Sequence, residues 1–169
     1  LDFPDVLTHD TIANQFNHLP KELINAREVY RFSTPASPHL AAAQESPPQR
    51  VELKTLLQAT QALNHAFDSV LVETSGGIMV PLNESDTMLD AMIALGAPTI
   101  VVVPNRLGAI NHALLTLNVI SQRNIPILGF AMNNFFDCPT DIQIDNPRII
   151  QSLSGIQLIS TIESLPKKN

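Results

Sequence analysis

Residues 99–132 read TIVVVPNRLGAINHALLTLNVISQRNIPILGFAM. Thr99–Val103 is an apolar run without polar alternation, the pattern of a strand buried on both faces. Asn105-Arg106-Leu107-Gly108 reads as a loop. Ile110, Ala113, Leu114, Leu117 and Ile120 then recur at helical spacing and form one apolar stripe. Ile125–Met132 is a second strand-like run. A strand, a helix and another non-alternating strand predict a parallel βαβ unit.

The same alternation extends outward. Leu53, Leu56, Leu57, Leu63, Ala66 and Phe67 predict an amphipathic helix over residues 51–68. Val70-Leu71-Val72-Glu73 follows as a strand. Ser85-Asp86 caps a helix through Met88, Leu89, Met92 and Ile93 that Gly96 closes. Beyond the central unit, residues 147–153 predict a short helix and residues 156–159 a fourth apolar strand. Glu28–Phe32 alternates and predicts another strand. Thr8 caps a short helix beginning at Thr11. Pro35 and Pro38 impose extended backbone ahead of a short helix from Leu40 to Glu45, which Pro47 and Pro48 end. The predicted fold is α/β: a doubly wound, mostly parallel sheet covered on both faces, in a single domain over residues 1–169.

Composition narrows the function. The chain has 169 residues, 44% hydrophobic and 15% charged, with a formal net charge of -6. Nucleic-acid binding is not expected, because gripping phosphates needs clustered Lys and Arg. Only Lys167 and Lys168 of the four lysines adjoin. Cys138 is the single cysteine. An intramolecular disulfide and a cysteine zinc cluster are therefore excluded, and the thiol suits a reducing, cytoplasmic compartment. No apolar run reaches the roughly 18 to 20 residues that cross a membrane. The opening Leu1-Asp2-Phe3-Pro4-Asp5 is acidic, unlike a signal peptide. It also lacks Met, so the gene is expected to begin elsewhere.

In an open parallel sheet, ligands bind beyond the carboxyl ends of the strands. The sequence puts there Glu73 with Gly76 and Gly77, then residues 104–108, then Asn133 and Asn134. An acid ending an apolar strand is a candidate magnesium ligand. It is equally a helix cap or an arginine partner. Gly76 and Gly77 either let backbone N–H groups approach an anion or make a plain turn. Asp10 is a capping or solvated acid unless it faces a site. Ser37 and His39 sit on a proline-set loop that lines a pocket or merely packs. His112, in the first turn of a helix, packs, hydrogen-bonds or catalyses. The phosphate loop G-x-x-x-x-G-K-[ST] is not found, since none of the six glycines precedes a lysine. The histidines are scattered, with no H-x-x-x-H pair, and G-x-S-x-G is absent.

YRFSTPASPHLAAAQES, VLVETSGGIMVPL and RLGAINHALLTLNVI followed by ILGFAMNN together resemble dethiobiotin synthetase, from about Asp10 to Asn134. The LG-x-INH stretch is the most specific piece. The resemblance implies a P-loop NTPase-like fold and an ATP- and Mg2+-dependent ligase of biotin biosynthesis. It implies a cytoplasmic homodimer with its substrate site at the subunit interface and no membrane or nucleic-acid partner. Residue by residue, it implies metal ligands at Asp10 and Glu73, and nucleotide contacts from Glu73, Gly76 and Asn133. It implies substrate contacts from Ser37, Gly76, Gly77, Leu107, Gly108 and Asn111. Three departures stand out. Thr74-Ser75 replaces the family's Gly-Ala. Ser160-Thr161-Ile162-Glu163 stands where G-x-I-P is expected. The family's first strand and P-loop lysine lie ahead of Leu1, and a parallel sheet without that strand exposes its central ladder. The alternatives are a noncatalytic scaffold of the same fold and a related P-loop ligase or amidotransferase with another substrate, and Thr74-Ser75 slightly favours either.

Overall fold

The computed structural model describes residues 29–135 and 138–163. The predicted helix at Thr11–Phe16 and the acid Asp10 lie outside them. The described residues fall into two compact units that divide between Ala94 and Leu95.

The second unit holds the sheet. Strands β1 (Thr99–Pro104), β2 (Ile127–Asn133) and β3 (Leu158–Ile162) form a parallel sheet in the order β1-β2-β3. Helix α4 (Ala109–Gln122) links β1 to β2, and α5 (Thr140–Ser154) links β2 to β3. Parallel neighbours need such crossovers, because a tight turn only reverses the chain into an antiparallel neighbour and cannot return it to the end of the sheet where the strand began. Val103, Phe130 and Met132 from the strands pack with Ala109, Ala113 and Leu117 of α4 and Ile150 of α5. Both helices therefore cover one face of the sheet. On the other face Ile100, Val102, Leu128 and Ile159 stand exposed.

Two boundaries differ from expectation. β3 starts at Leu158 and runs to Ile162, beyond the predicted 156–159. The helix expected to begin at Pro147 begins seven residues earlier, at Thr140, with Pro147 inside it. A proline within a helix cannot donate to the carbonyl four residues before it. Here that carbonyl belongs to Gln143, and it accepts from the side chain of buried Asn105 at 3.0 Å. An outside donor thus fills the gap that the proline opens, and the helix continues.

The first unit carries α1 (Pro38–Gln44), α2 (Leu53–Ala66) and α3 (Met88–Leu95), the last ending at the division. Its core is Ala42, Val51, Leu82, Met88 and Ala91, with Tyr30, Phe32, Leu53 and Leu56 against it. The strand expected over 28–32 is not formed in its described residues 29–32. Tyr30 and Phe32 instead stack with ring centroids 6.0 Å apart, and Tyr30 Oη accepts from the Glu52 N–H at 2.9 Å. The cap of α3 also shifts. Thr87 donates through both its N–H and its hydroxyl to Asp90, at 2.7 and 2.6 Å. Asp86, expected in that role with Ser85, accepts from Asn83 at 2.8 Å. α2 forms as expected, but none of its residues is buried.

The strand expected at Val70–Glu73 is also not formed. This segment has no regular structure, and Leu71 is 94% exposed. Strand backbone is stable only when its N–H and C=O groups are paired, and the described residues give this segment no partner strand. Among the described residues, no helix is long and apolar enough to cross a membrane.

Candidate functional site

At the carboxyl end of β1 the chain turns outward. Leu107 is largely exposed. Gly108 follows with φ of 90° and sits at the N-cap of α4. That left-handed conformation suits glycine, which has no Cβ to clash. The Gly108 carbonyl accepts the His112 N–H at 3.2 Å, so His112 is held by its backbone at the helix start. Asn111, in the first turn of α4, is exposed and lines an open groove of about 510 Å3. Leu114, Leu117, Asn118, Leu153 and Ile156 share that groove. Ser121 and Ser154 also line it, so the groove runs along α4 toward the amino ends of the strands, away from Gly108 and Asn133.

Asn133 ends β2, in register with Pro104 of β1. Its side-chain Oδ1 accepts the Phe135 N–H at 3.1 Å. Asn133 therefore ends β2, and Gly108 follows four residues after the end of the neighbouring β1.

In the first unit, Ser37 begins α1. Its carbonyl accepts the N–H groups of Leu40 and Ala41 at 3.0 and 2.9 Å, and its hydroxyl lies 3.1 Å from His39 Nδ1. Gly76 has φ of 78°, and an added Cβ would lie 3.1 Å from Val80 Cγ2. Its carbonyl accepts weakly from the Thr74 hydroxyl at 3.4 Å. The Gly77 carbonyl accepts the Val80 N–H at 3.0 Å, and Gly77 itself has open space where a Cβ would stand. Both glycines are exposed in this loop.

Glu73 is exposed, on a segment without regular structure. The expectation of an acid at the tip of a buried strand is corrected, because the unpaired strand never forms. Among the described residues, no three His, Cys, Asp or Glu side chains gather as a ligand set.

Sequence reasoning missed Asn146, which is buried in α5 and donates to Asn105 Oδ1 at 2.8 Å. It also gave Asn105 no role beyond its place at a strand end. The one available signal was a polar residue directly after an apolar strand.

The family described as an AAA domain matches residues 7–169. The chain is 41% identical over 132 residues to "ATP-dependent dethiobiotin synthetase BioD 2" of Haemophilus influenzae, covering 78% of this chain and 67% of that protein. It is 39% identical over 117 residues to "ATP-dependent dethiobiotin synthetase BioD" of Lysinibacillus sphaericus, covering 68% of this chain and 48% of that protein. A protein of the same name in Brucella anthropi is 36% identical over 140 residues, covering 83% of this chain and 60% of that protein. The chain thus spans about half to two thirds of the length of these curated relatives.

Proposed function

Because the chain belongs to the AAA-domain family and, within it, to the dethiobiotin synthetases, we propose that it serves an ATP-dependent carbon–nitrogen cyclo-ligase of biotin biosynthesis. The substrates are 7,8-diaminopelargonic acid, CO2 and ATP. One amine adds to CO2 and loses a proton, leaving a carbamate. A carbamate oxygen attacks the γ-phosphorus of ATP, and ADP departs. The second amine attacks the carbonyl carbon of this mixed anhydride, and inorganic phosphate leaves as the cyclic urea closes.

Each step brings anions together, so the site must hold charge without repulsion. Asp10 and Glu73 would hold Mg2+ beside the phosphates. When bound, that ion draws charge from phosphate oxygens and orients the transferred group. Gly76 keeps the backbone low beside the nucleotide. Asn133 faces the adenine, where an amide both accepts from and donates to the base edge. Ser37, Gly76, Gly77, Leu107, Gly108 and Asn111 contact the diamine and its carbamate. In a homodimer, Leu107, Gly108 and Asn111 serve the partner subunit's substrate. A cytoplasmic setting supplies ATP and keeps Cys138 reduced.

The observation that carries this reading is 36–41% identity to proteins bearing the name ATP-dependent dethiobiotin synthetase. The test incubates the full-length protein with 7,8-diaminopelargonic acid, bicarbonate, Mg2+ and ATP. Dethiobiotin by mass spectrometry, with one ADP per product, is expected. No product under conditions where a known synthetase turns over would overturn the reading.

A further inference from the structure

β1 ends at Pro104, and the next residue, Asn105, is 1% exposed. Its N–H donates to the Asn133 carbonyl at 2.9 Å, which carries the ladder one residue past the strand. Its Nδ2 donates to Asn134 Oδ1 at 2.8 Å and to the Gln143 carbonyl at 3.0 Å. Its Oδ1 accepts from Asn146 Nδ2 at 2.8 Å. Asn134 Nδ2 in turn donates to both carboxylate oxygens of Glu163, each at 3.1 Å. The Asn134 N–H donates to the Ile162 carbonyl at 2.9 Å. One run of amides therefore ties together the ends of all three strands and the middle of α5.

Asn133 lies inside this frame. Its Oδ1 accepts the Phe135 N–H at 3.1 Å. An amide nitrogen cannot accept that bond, so the oxygen end of the side chain is fixed. Asn133 Nδ2 has no hydrogen-bond partner among the described residues.

We propose that Asn105 and Asn134 are positioning residues for nucleobase selection. They hold the loop so that Asn133 keeps one amide orientation. In that orientation, Oδ1 accepts from an exocyclic amino group while Nδ2 donates to a neighbouring ring nitrogen. Adenine presents that donor beside that acceptor. Guanine presents a carbonyl beside an N–H, the reverse order, and only an amide turned over by half a rotation could read it. A held amide thus discriminates where a loose one does not. A site built to pair a base edge rejects the mismatched edge by leaving its own polar groups unpaired. The inference rests on the proposed contact between Asn133 and the base.

The test uses the full-length protein and measures kcat and KM with ATP and with GTP. Calorimetric titration with ADP and GDP gives binding without turnover. Asn134→Ala is the main variant, since Asn134 is only half-buried. Its KM for ATP is expected to rise about tenfold with little change in kcat, the equivalent of one lost hydrogen bond. Its ATP-to-GTP ratio of kcat/KM is expected to fall by a similar factor. Glu163→Gln still offers Asn134 an oxygen and is expected to stay within about twofold of the parent. A purely structural role would lower both nucleotides equally and leave the ratio unchanged, which would overturn the proposal. If the parent protein prefers ATP and Asn134→Ala keeps that preference, the positioning role alone fails. If the parent binds neither ADP nor GDP, the base contact itself fails and takes this proposal with it.

Discussion

Gly129 in β2 is the position where a single methyl group should do most harm. A Cβ built there would stand 2.8 Å from the Gln157 carbonyl oxygen and closer still to Ile159 Cγ2. The Gln157 carbonyl is not free to retreat, because it accepts the Phe130 N–H at 3.0 Å. Phe130 is itself fully buried in the core. Relief therefore requires β3 to move away from β2. Overpacking of this kind costs about 1–3 kcal/mol, and a lost interstrand hydrogen bond adds about 1 kcal/mol. Gly129→Ala is expected to destabilise by about 2–4 kcal/mol, or roughly 5–15 °C in Tm for a chain of this size. Gly77→Ala is the control, since its Cβ would meet nothing within 4 Å; its stability is expected to stay within about 0.5 kcal/mol. Urea titration followed by circular dichroism gives both values. A Gly129→Ala protein as stable as its parent would refute the claim that β2 and β3 are in backbone contact here.

Three further outcomes are expected. Asn105→Ala removes the donor that serves Gln143 and Asn134 and leaves a void, costing about 2–4 kcal/mol by the same titration; a change under about 0.5 kcal/mol would contradict the buried network. Asp90→Ala strips the acceptor from Thr87 at the start of α3 and is expected to cost about 1 kcal/mol, with no loss showing that the cap is idle. The Ser33 N–H and then its hydroxyl, at 2.6 and 2.8 Å, hold the Glu45 carboxyl below its ordinary 4.5. A lowered folded value means that the stabilisation is whole above pH 4.5 and disappears as pH falls through the folded value. Denaturation midpoints across that acid range should therefore fall more gently for Glu45→Gln, which does not titrate, than for the parent, and identical profiles would exclude the contribution.

The βαβ unit was legible because its signals are local. β1 announces itself in five consecutive residues, and α4 in a stripe that repeats every turn. Gly108 and Asn133 were legible as strand-end residues for the same reason. What failed depends on distant partners. Val70–Glu73 has the composition of a strand, but composition cannot supply the neighbour whose backbone would complete it. Pro147 looks like a helix start when read locally. Inside α5 it is tolerated because a side chain 38 residues away reaches the carbonyl it leaves unserved. The Asn105–Asn146 bond spans 41 residues and leaves no periodic trace. Tyr30 and Phe32 alternate like strand residues, yet their rings stack against each other in the first unit's core instead.

The proposed reaction gives Glu73, on its exposed loop, a part in magnesium-dependent phosphoryl transfer. The most direct measurement is dethiobiotin formation by full-length Glu73→Gln across a Mg2+ titration, with circular dichroism to check the fold. A folded protein with turnover reduced by about 100-fold or more, in line with loss of a charged group at a phosphoryl site, is expected. Turnover and magnesium dependence equal to those of the parent would contradict it.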